Sequence, residues 1–410
     1  MSLIRPFRAL RSQPEHVAKV ASVPYDVVNQ TEAASLAQGN PFSFLHVSRP
    51  EIDLPAGTDP YAKEVYEKAR ENFRKLTQEL PLVRETEPSL YIYRLKMGDR
   101  EQTGIAAAYS IDEYDHGTIK KHEKTRQDKE DDRTRHVLTL GAQTGPVFLT
   151  HKGLSDLNAQ VARETEATPL FHFTAPDGIV HKLWKVQNPA LLVELFHKVP
   201  MLYIADGHHR AASASRARAE LKKENPKHTG QEDYNFFLAV AFPAEQLRIL
   251  PYYRVIKDLN GHSHESILST LEKSFTIAKG AASEPKRGQF SMYMGGHWYG
   301  LAPKNKPGMD TSPAARLDVS VLQNQVLDPL FGIKDPRTDK RIDFVGGIRG
   351  TRELVELVDS GRAQAAFSLH PTTVDDLMEI SDAGEIMPPK STWFEPKLRD
   401  GLLSHIICES

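Results

Sequence analysis

The chain has a single cysteine, Cys408, so no disulfide can form within it and a four-cysteine zinc site is excluded. No apolar run approaches the roughly 20 residues that cross a bilayer. The stretch Met1 to Leu10 holds Arg5 and Arg8 but lacks the apolar core of a signal peptide. A cytoplasmic location without membrane contact is therefore expected. An excess of one charge is missing too: 52 Lys and Arg stand against 54 Asp and Glu, a formal net charge of −2. That balance gives no global attraction to a phosphate backbone, and no nucleic-acid partner is expected. Familiar phosphate and hydrolase motifs are also absent. There is no Gly-x-x-x-x-Gly-Lys-Ser/Thr loop, no Gly-x-Gly-x-x-Gly fingerprint and no Gly-x-Ser-x-Gly elbow. His122-Glu123 does not open a zincin helix, because Arg126 stands where the second histidine would be.

What is present is an ordinary globular composition, 40% hydrophobic and 26% charged over 410 residues. That length exceeds a single core, so two or three domains are expected. Prolines punctuate residues 1–88, where Pro24 to Val28 reads as a turn leading into a short strand and Tyr61 to Leu80 as a helix. Two hairpins are expected: Leu90 to Lys96 with Thr103 to Ser110, and Phe171 to Phe173 with Val180 to Val186. Lys129 to Leu140 is a helix candidate ended by Gly141, and Pro146 to Leu149 a short apolar strand. Strands at Tyr234 to Phe242 and Arg248 to Ile256 complete a β-rich core over 89–257. A texture change near 258 introduces helices at Ser263 to Ser274, Val319 to Leu330 and Thr351 to Val358, with strands in Phe290 to Leu301.

The densest chemistry lies in Tyr203-Ile204-Ala205-Asp206-Gly207-His208-His209-Arg210. The apolar run before it reads as a buried strand, Gly207 permits a sharp turn, and Ala211 to Leu221 reads as a helix. Two histidines and an arginine then sit at a helix start, where free backbone N–H groups make an anion site suited to phosphate. The plain alternative is a helix capped by Asp206 with two surface histidines. A second cluster, Lys120-Lys121-His122-Glu123-Lys124-Thr125, continues through Arg126, Asp128, Lys129 and Arg133. A carboxylate among so many cations stays ionised and can take a proton from a hydroxyl, while the cations steady a phosphoryl group. Otherwise the run is a solvated helix face.

Ala205 to Arg210 resembles the phosphate-binding box of the ParB/sulfiredoxin superfamily, in the Asp-Gly-His-His-Arg form of the free serine kinases. Ile119-Lys120-Lys121-His122-Glu123 is similar to the His-Glu pair of those kinases, in which the glutamate is the base for the serine hydroxyl. The whole chain resembles a bacterial and archaeal family of unknown function, number one thousand and fifteen. It shares Pro24-Tyr25-Asp26, His122 to Thr125, the Asp-Gly-His-His-Arg box and Met387 to Thr392 with that family. The resemblance implies an α+β fold with a ParB/sulfiredoxin-like mixed core at 89–257, an N-terminal elaboration at 1–88 and a C-terminal α/β region at 258–410. It also implies a phosphotransferase that uses ATP, ADP or pyrophosphate with Mg²⁺ and acts on a small hydroxylated metabolite, foremost free L-serine.

On that reading Gly207, His208, His209 and Arg210 hold the donor's phosphates, and Glu123 beside His122 is the base. Asp206 is either a Mg²⁺ ligand or a turn-former. Lys121, Lys124 and Arg126 are candidate contacts to substrate or donor. Asp26 either lines the same cleft or only forms a turn. Lys390, Ser391 and Thr392, after two prolines, either meet an anion or simply wrap the chain. Two rivals stand beside the kinase. One is a ParB-like nucleotide-binding switch. The other is a metal-dependent phosphoesterase ligated by Asp206, His208, His209, His122 and Glu123, although adjacent histidines on a helix project about 100° apart and share one ion poorly.

Overall fold

The computed structural model describes residues 3–79, 81–305, 307–308 and 310–408. They form two compact units, one comprising residues up to Leu247 together with those from Pro396 onward, the other spanning Arg248–Glu395. Both combine helices with sheets, an α+β architecture.

Unit 1 is built on strands β1 (Tyr91–Met97), β2 (Arg100–Ser110), β3 (Ile119–Lys120), β4 (Val147–His151), β5 (Phe171–Thr174), β6 (Val180–Lys185), β7 (Leu202–Asp206) and β8 (Phe236–Pro243). They lie in the order β3-β7-β4-β8-β2-β1-β6-β5, with Ile4–Arg5 added against β2. The pairs β7–β3 and β8–β4 are parallel and the rest antiparallel. The centre of the sheet follows from residue size and hydropathy. Every residue of β8, Phe236–Pro243, is buried, as a strand covered on both faces requires. Its neighbour β2 offers Ala106, Ala107 and Ala108, which take up little room. Gly104, also in β2, has no room at all: a Cβ there would lie 2.7 Å from the Ala241 carbonyl oxygen and 2.7 Å from the Phe242 ring.

Helices α1 (Gln127–Leu140) and α2 (His208–Glu224) pack on each other. The buried residues of α2 after His208 are small, Ala211, Ala212, Ser213, Ala214 and Ala217; Ala211 and Ala214 join the sheet's core, while the Ser213 hydroxyl donates to the Glu130 carbonyl of α1 at 3.3 Å. Gly141 ends α1 in the left-handed region at φ 63° and its carbonyl accepts from the Ile407 N–H at 2.9 Å. The returning segment from Pro396 thus joins unit 1 as a strap. Its strand Leu403–Ile406 pairs with Ala9–Ser12 on one side and Ala142–Gln143 on the other.

Unit 2 is an antiparallel sheet of β9 (Tyr252–Ile256), β10 (Phe275–Lys279), β11 (Phe290–Met294), β12 (His297–Pro303), β13 (Ile342–Gly346) and β14 (Ala365–Leu369), in the order β10-β12-β11-β14-β9-β13. Helix α3 (Gly350–Asp359) buries Leu354 in a cluster with Tyr253, Val255 and Ala366. No helix among the described residues is long and apolar enough to cross a membrane.

Both expected hairpins form, as β1–β2 and β5–β6. The helix expected over Tyr61 to Leu80 runs Lys63–Gln78, and Leu80 lies outside the described residues. The short strand expected after Pro24 does not form. Asn29 instead caps the helix Gln30–Ala37 in a reciprocal capping box with Glu32, leaving Tyr25 to Val28 as turns. The run expected as one strand over Arg248 to Ile256 is divided at Pro251, which has no N–H to give a ladder. The helix expected from Val319 to Leu330 contains a π-turn at Gln323–Leu327.

Replacing Gly104 by alanine is expected to destabilise unit 1 by about 1–3 kcal/mol, since the new methyl meets the Ala241 carbonyl oxygen and the fully buried Phe242 ring, neither of which can move aside easily. Chemical denaturation of the Gly104→Ala chain measures it; an unchanged midpoint would contradict the packing described.

Candidate functional site

Strand β7 delivers Asp206 to a sharp turn at Gly207, whose φ of +93° suits glycine alone. Space does not add to that demand, because a Cβ at Gly207 would meet Val147 Cα at 3.4 Å and Arg210 Nε at 3.5 Å, ordinary contact distances. Helix α2 begins at His208 with Gly207 at the N-cap and no side chain bonded to its first turn. Asp206 is therefore not the cap. Its Oδ1 accepts from the Gly207 N–H at 2.9 Å and its Oδ2 from Lys397 Nζ at 2.7 Å. The first-turn N–H groups of α2 are left for an anion, with the positive end of the helix dipole behind them.

The two histidines at this start turn to a neighbouring loop. His208 Nε2 accepts from the backbone N–H of His122 at 3.4 Å, and His209 Nε2 accepts from the backbone N–H of Arg126 at 3.1 Å. Accepting at Nε2 places the imidazole proton on Nδ1 in both rings. Their 100° divergence on the helix suits this task, because the rings reach opposite ends of the loop 122–126. The His122 and His208 rings also meet edge to face, 4.4 Å between centroids and 89° between planes. Ligand atoms of His122, Glu123 and His208 all lie within 4.8 Å of one another. The Lys-His-Glu-Lys segment and the Asp-Gly-His-His-Arg box thus make one site.

Electrostatics follow burial. Burial pushes the His122 imidazole down to about 4, against the pull of Asp206 and the Ile204 carbonyl. His208 is lowered well below its ordinary value by burial and by the adjoining His122, and burial lowers His209 as well. His208 is thus neutral near pH 7 and does not contribute the charge-assisted bond its position in sequence suggests. The positive charge comes from elsewhere. Burial acts to raise the Asp206 carboxyl, but Lys397 and Arg210 override it and hold the group well below the usual carboxylate range.

Arg210 is fixed from three sides. Its Nη1 donates to the Pro146 carbonyl at 2.6 Å, its Nη2 lies 3.4 Å from Asp26 Oδ2, and its guanidinium is 6.0 Å from the Tyr25 ring centre. Behind it is a cavity of about 40 Å³, lined by Arg210, Asp400, Arg133, Tyr25 and Ser48 together with apolar residues such as Val147 and Phe237. Arg210 Nε, Asp400 Oδ1 and Ser48 Oγ find no partner there. The space suits a few water molecules that would bridge them. Burial pushes the Asp400 carboxyl up to about 7 although Arg210 opposes it.

The remaining candidates divide. Asp26 reaches the site through Arg210. Lys121 places its Nζ 3.8 Å over the Tyr114 ring, where burial lowers its pKa. Arg126 is paired with Asp128 at 2.8 Å, while Lys124 is exposed. Lys390, Ser391 and Thr392 belong to unit 2, where the Ser391 hydroxyl donates to the Pro388 carbonyl at 2.6 Å. Sequence reasoning did not find Lys397 and Asp400. They follow Asp206 by almost two hundred residues, and the only signal for them is that Asp206, beside an anion site, needs a cation.

A family model described as a protein of unknown function (DUF1015) matches residues 4–320, and the chain belongs to that family. None of the curated proteins matches it. Among solved structures it is similar to a free serine kinase in complex with AMP, at 15% identity over 70% of this chain and 86% of that one, with a TM-score of 0.37. A conserved hypothetical protein from Pyrococcus furiosus is similar at 15% identity over 73% and 95%, with a TM-score of 0.36. A C-terminally truncated SbnI from Staphylococcus aureus is similar at 11% identity over 73% and 87%, with a TM-score of 0.38.

Replacing Lys397 by methionine strands a carboxylate that is only 30% exposed, and is expected to cost about 2–4 kcal/mol. The double replacement Asp206→Asn with Lys397→Met is expected to recover part of this loss, and denaturation of the three variants measures the coupling; strict additivity would deny the pair. The His122 imidazole also makes stability depend on pH. Between pH 6.5 and about 4 the unfolded chain binds a proton there that the folded chain refuses. Stability therefore falls as pH drops through that window, by about 3 kcal/mol from this group. In an NMR titration the His122 ring signals should still report the neutral form at pH 5.5; a midpoint near 6.5 would contradict the burial.

Proposed function

We propose that unit 1 is a small-molecule phosphotransferase, with the donor's terminal phosphates at the start of α2 and a hydroxylated acceptor beside Glu123. The observation that carries this reading is the pair of histidine bonds that fasten loop 122–126 to the uncapped helix. They bring a carboxylate and an anion site together, which is what in-line transfer to a hydroxyl needs. The first-turn N–H groups and Arg210 bind the phosphate oxygens. Glu123 takes the acceptor's proton as its oxygen bonds to phosphorus, and the bond from phosphorus to the donor's leaving oxygen breaks. Lys397 supplies the positive charge that Asp206 requires, so we assign Mg²⁺ to the donor's phosphates rather than to Asp206. Neutral His208 and His209 keep the loop in place, their Nε2 lone pairs already engaged by its backbone N–H groups. The preference for free L-serine as acceptor, and for ATP, ADP or pyrophosphate as donor, rests on the resemblance of the two motifs to those of the free serine kinases.

The test is incubation of the full chain with Mg²⁺, serine and each donor in turn, followed by detection of phosphoserine. Glu123→Gln should abolish product while leaving donor affinity within about twofold, whereas Arg210→Ala should weaken donor affinity by about tenfold or more. Full turnover in Glu123→Gln would remove the base. Donor hydrolysis without an acceptor, with Zn²⁺ or Mn²⁺ retained at one per chain, would instead favour a phosphoesterase ligated by His122, Glu123 and His208.

A further inference from the structure

Unit 2 holds a pocket of about 580 Å³ whose residues have no part in the phosphotransfer site. Its size falls within the range of small-molecule sites. One wall is aromatic. The Trp393 ring meets the Tyr252 ring at 5.1 Å and 80°, and Tyr252 meets Phe344 at 6.3 Å and 86°. Gly346 lets the indole lie directly on β13, because a Cβ there would come within 2.9 Å of the Trp393 ring. The aromatic wall is thereby fixed against backbone rather than against mobile side chains.

The lining is also basic. Four cations, Lys257, Arg349, Arg362 and Lys390, line the pocket against two carboxylates, Asp343 and Glu353. Lys257 is paired with Asp343 at 3.3 Å. Among the described residues Arg349, Arg362 and Lys390 form no ion pair, although all three are exposed at the pocket. Behind the wall Arg254, only 3% exposed, lies 5.3 Å from the Phe344 ring and donates to the carbonyls of Tyr252 and Pro389. Burial draws its pKa down to about 10, and among the described residues no carboxylate offsets that. A guanidinium held inside a fold by carbonyls alone leaves a positive field that a bound anion would offset.

Lys390 adds a third observation. Among the described residues it is one of two non-glycine residues with positive φ, at 55°, and its Nζ lies 5.4 Å from the Tyr252 ring centre. Non-glycine residues adopt this region at a cost of about 1 kcal/mol or more, which the surroundings must offset. Here the strained residue presents a cation at the edge of an aromatic wall.

We propose that this pocket is a second ligand site that takes a nucleotide-type anion, with the planar base against one ring of the Tyr252, Phe344 and Trp393 cluster and the phosphates at Arg349, Arg362 and Lys390. The wall supplies stacking, which every base can use, and the unpaired cations supply phosphate contacts. The assignment does not depend on the reading of unit 1.

Calorimetric titration of the full chain with ADP tests it, with adenosine and inorganic phosphate as separate probes. Two equivalents of ADP are expected, falling to one in Arg210→Ala, which disables the site in unit 1. The double variant Lys390→Ala with Arg362→Ala changes exposed residues only, and is expected to weaken the second equivalent by about tenfold or more. Trp393→Phe should remove the change in tryptophan emission that accompanies it. Adenosine and phosphate should each bind there at least about tenfold more weakly than ADP, since each meets one wall alone. A single equivalent in the wild-type chain, lost in Arg210→Ala and untouched by the double variant, would overturn the proposal. Should Arg210→Ala fold poorly, the wild-type stoichiometry against that of the double variant decides alone. Absence of phosphoserine formation would count against the kinase and leave this titration unaffected.

Discussion

Two imidazole nitrogens that accept backbone hydrogen bonds hold the candidate site together. His208 and His209 could bond to the loop 122–126 only as neutral rings, since a protonated imidazole has no lone pair left to offer. Burial is what keeps them neutral, and it does so because the Ala-rich side of α2 packs closely on α1 and on the sheet. Packing, protonation and loop position are therefore a single constraint. If α2 were held further out, the histidines would be wetter, their protons would return near neutral pH, and the loop carrying Glu123 would lose these two bonds.

The same helix start sets a second demand. An anion site is a concentration of positive potential, yet β7 ends in Asp206, a carboxylate under that potential and largely out of water. A carboxylate there is tolerable only with a cation of its own, and the strap from Pro396 provides Lys397. Three residues further on, Asp400 enters the cavity behind Arg210, whose charge makes a partly neutral buried acid acceptable. On the proposed reading, Lys397 carries the larger share of Asp206's charge, which leaves the helix amides and part of Arg210's charge for a phosphate.

The local part of this arrangement was legible in the sequence. Asp-Gly-His-His-Arg between an apolar run and an alanine-rich stretch announces a strand, a turn with positive φ and a helix start, because each of those features rests on adjacent residues. The role of the histidines was not legible. Their spacing on a helix argued against joint ligation of one ion, but it could not show that the divergence lets them grip both ends of one loop. Pro24-Tyr25-Asp26-Val27-Val28 misled for a related reason. Two β-branched residues favour a strand, and the capping box of Asn29 and Glu32 pre-empts it by starting a helix. Lys397 and Asp400 were beyond local reasoning altogether, since the strap that carries them is tied to Gly141 and Ala9–Ser12 by backbone bonds that no side-chain pattern records.

That strap has a consequence for how the site comes into being. Unit 1 is discontinuous: its sheet is drawn from residues before Leu247, while the cation for Asp206 comes only after all of unit 2. Until the strap docks, the end of β7 holds a carboxylate without its partner, beside a helix start that is itself uncapped. Docking trades the hydration of Asp206 and Lys397 for their mutual contact, and it buries Leu402, Leu403 and Ile407 at the same time. Apolar burial contributes more than the ion pair, at about 1.5–3 kcal/mol for each such side chain, so the strap is held mainly by its leucines and isoleucine. Its charged residues are then free to serve the candidate site rather than to hold the fold, which is why an ion pair of modest net worth can lie beside the Asp-Gly-His-His-Arg turn.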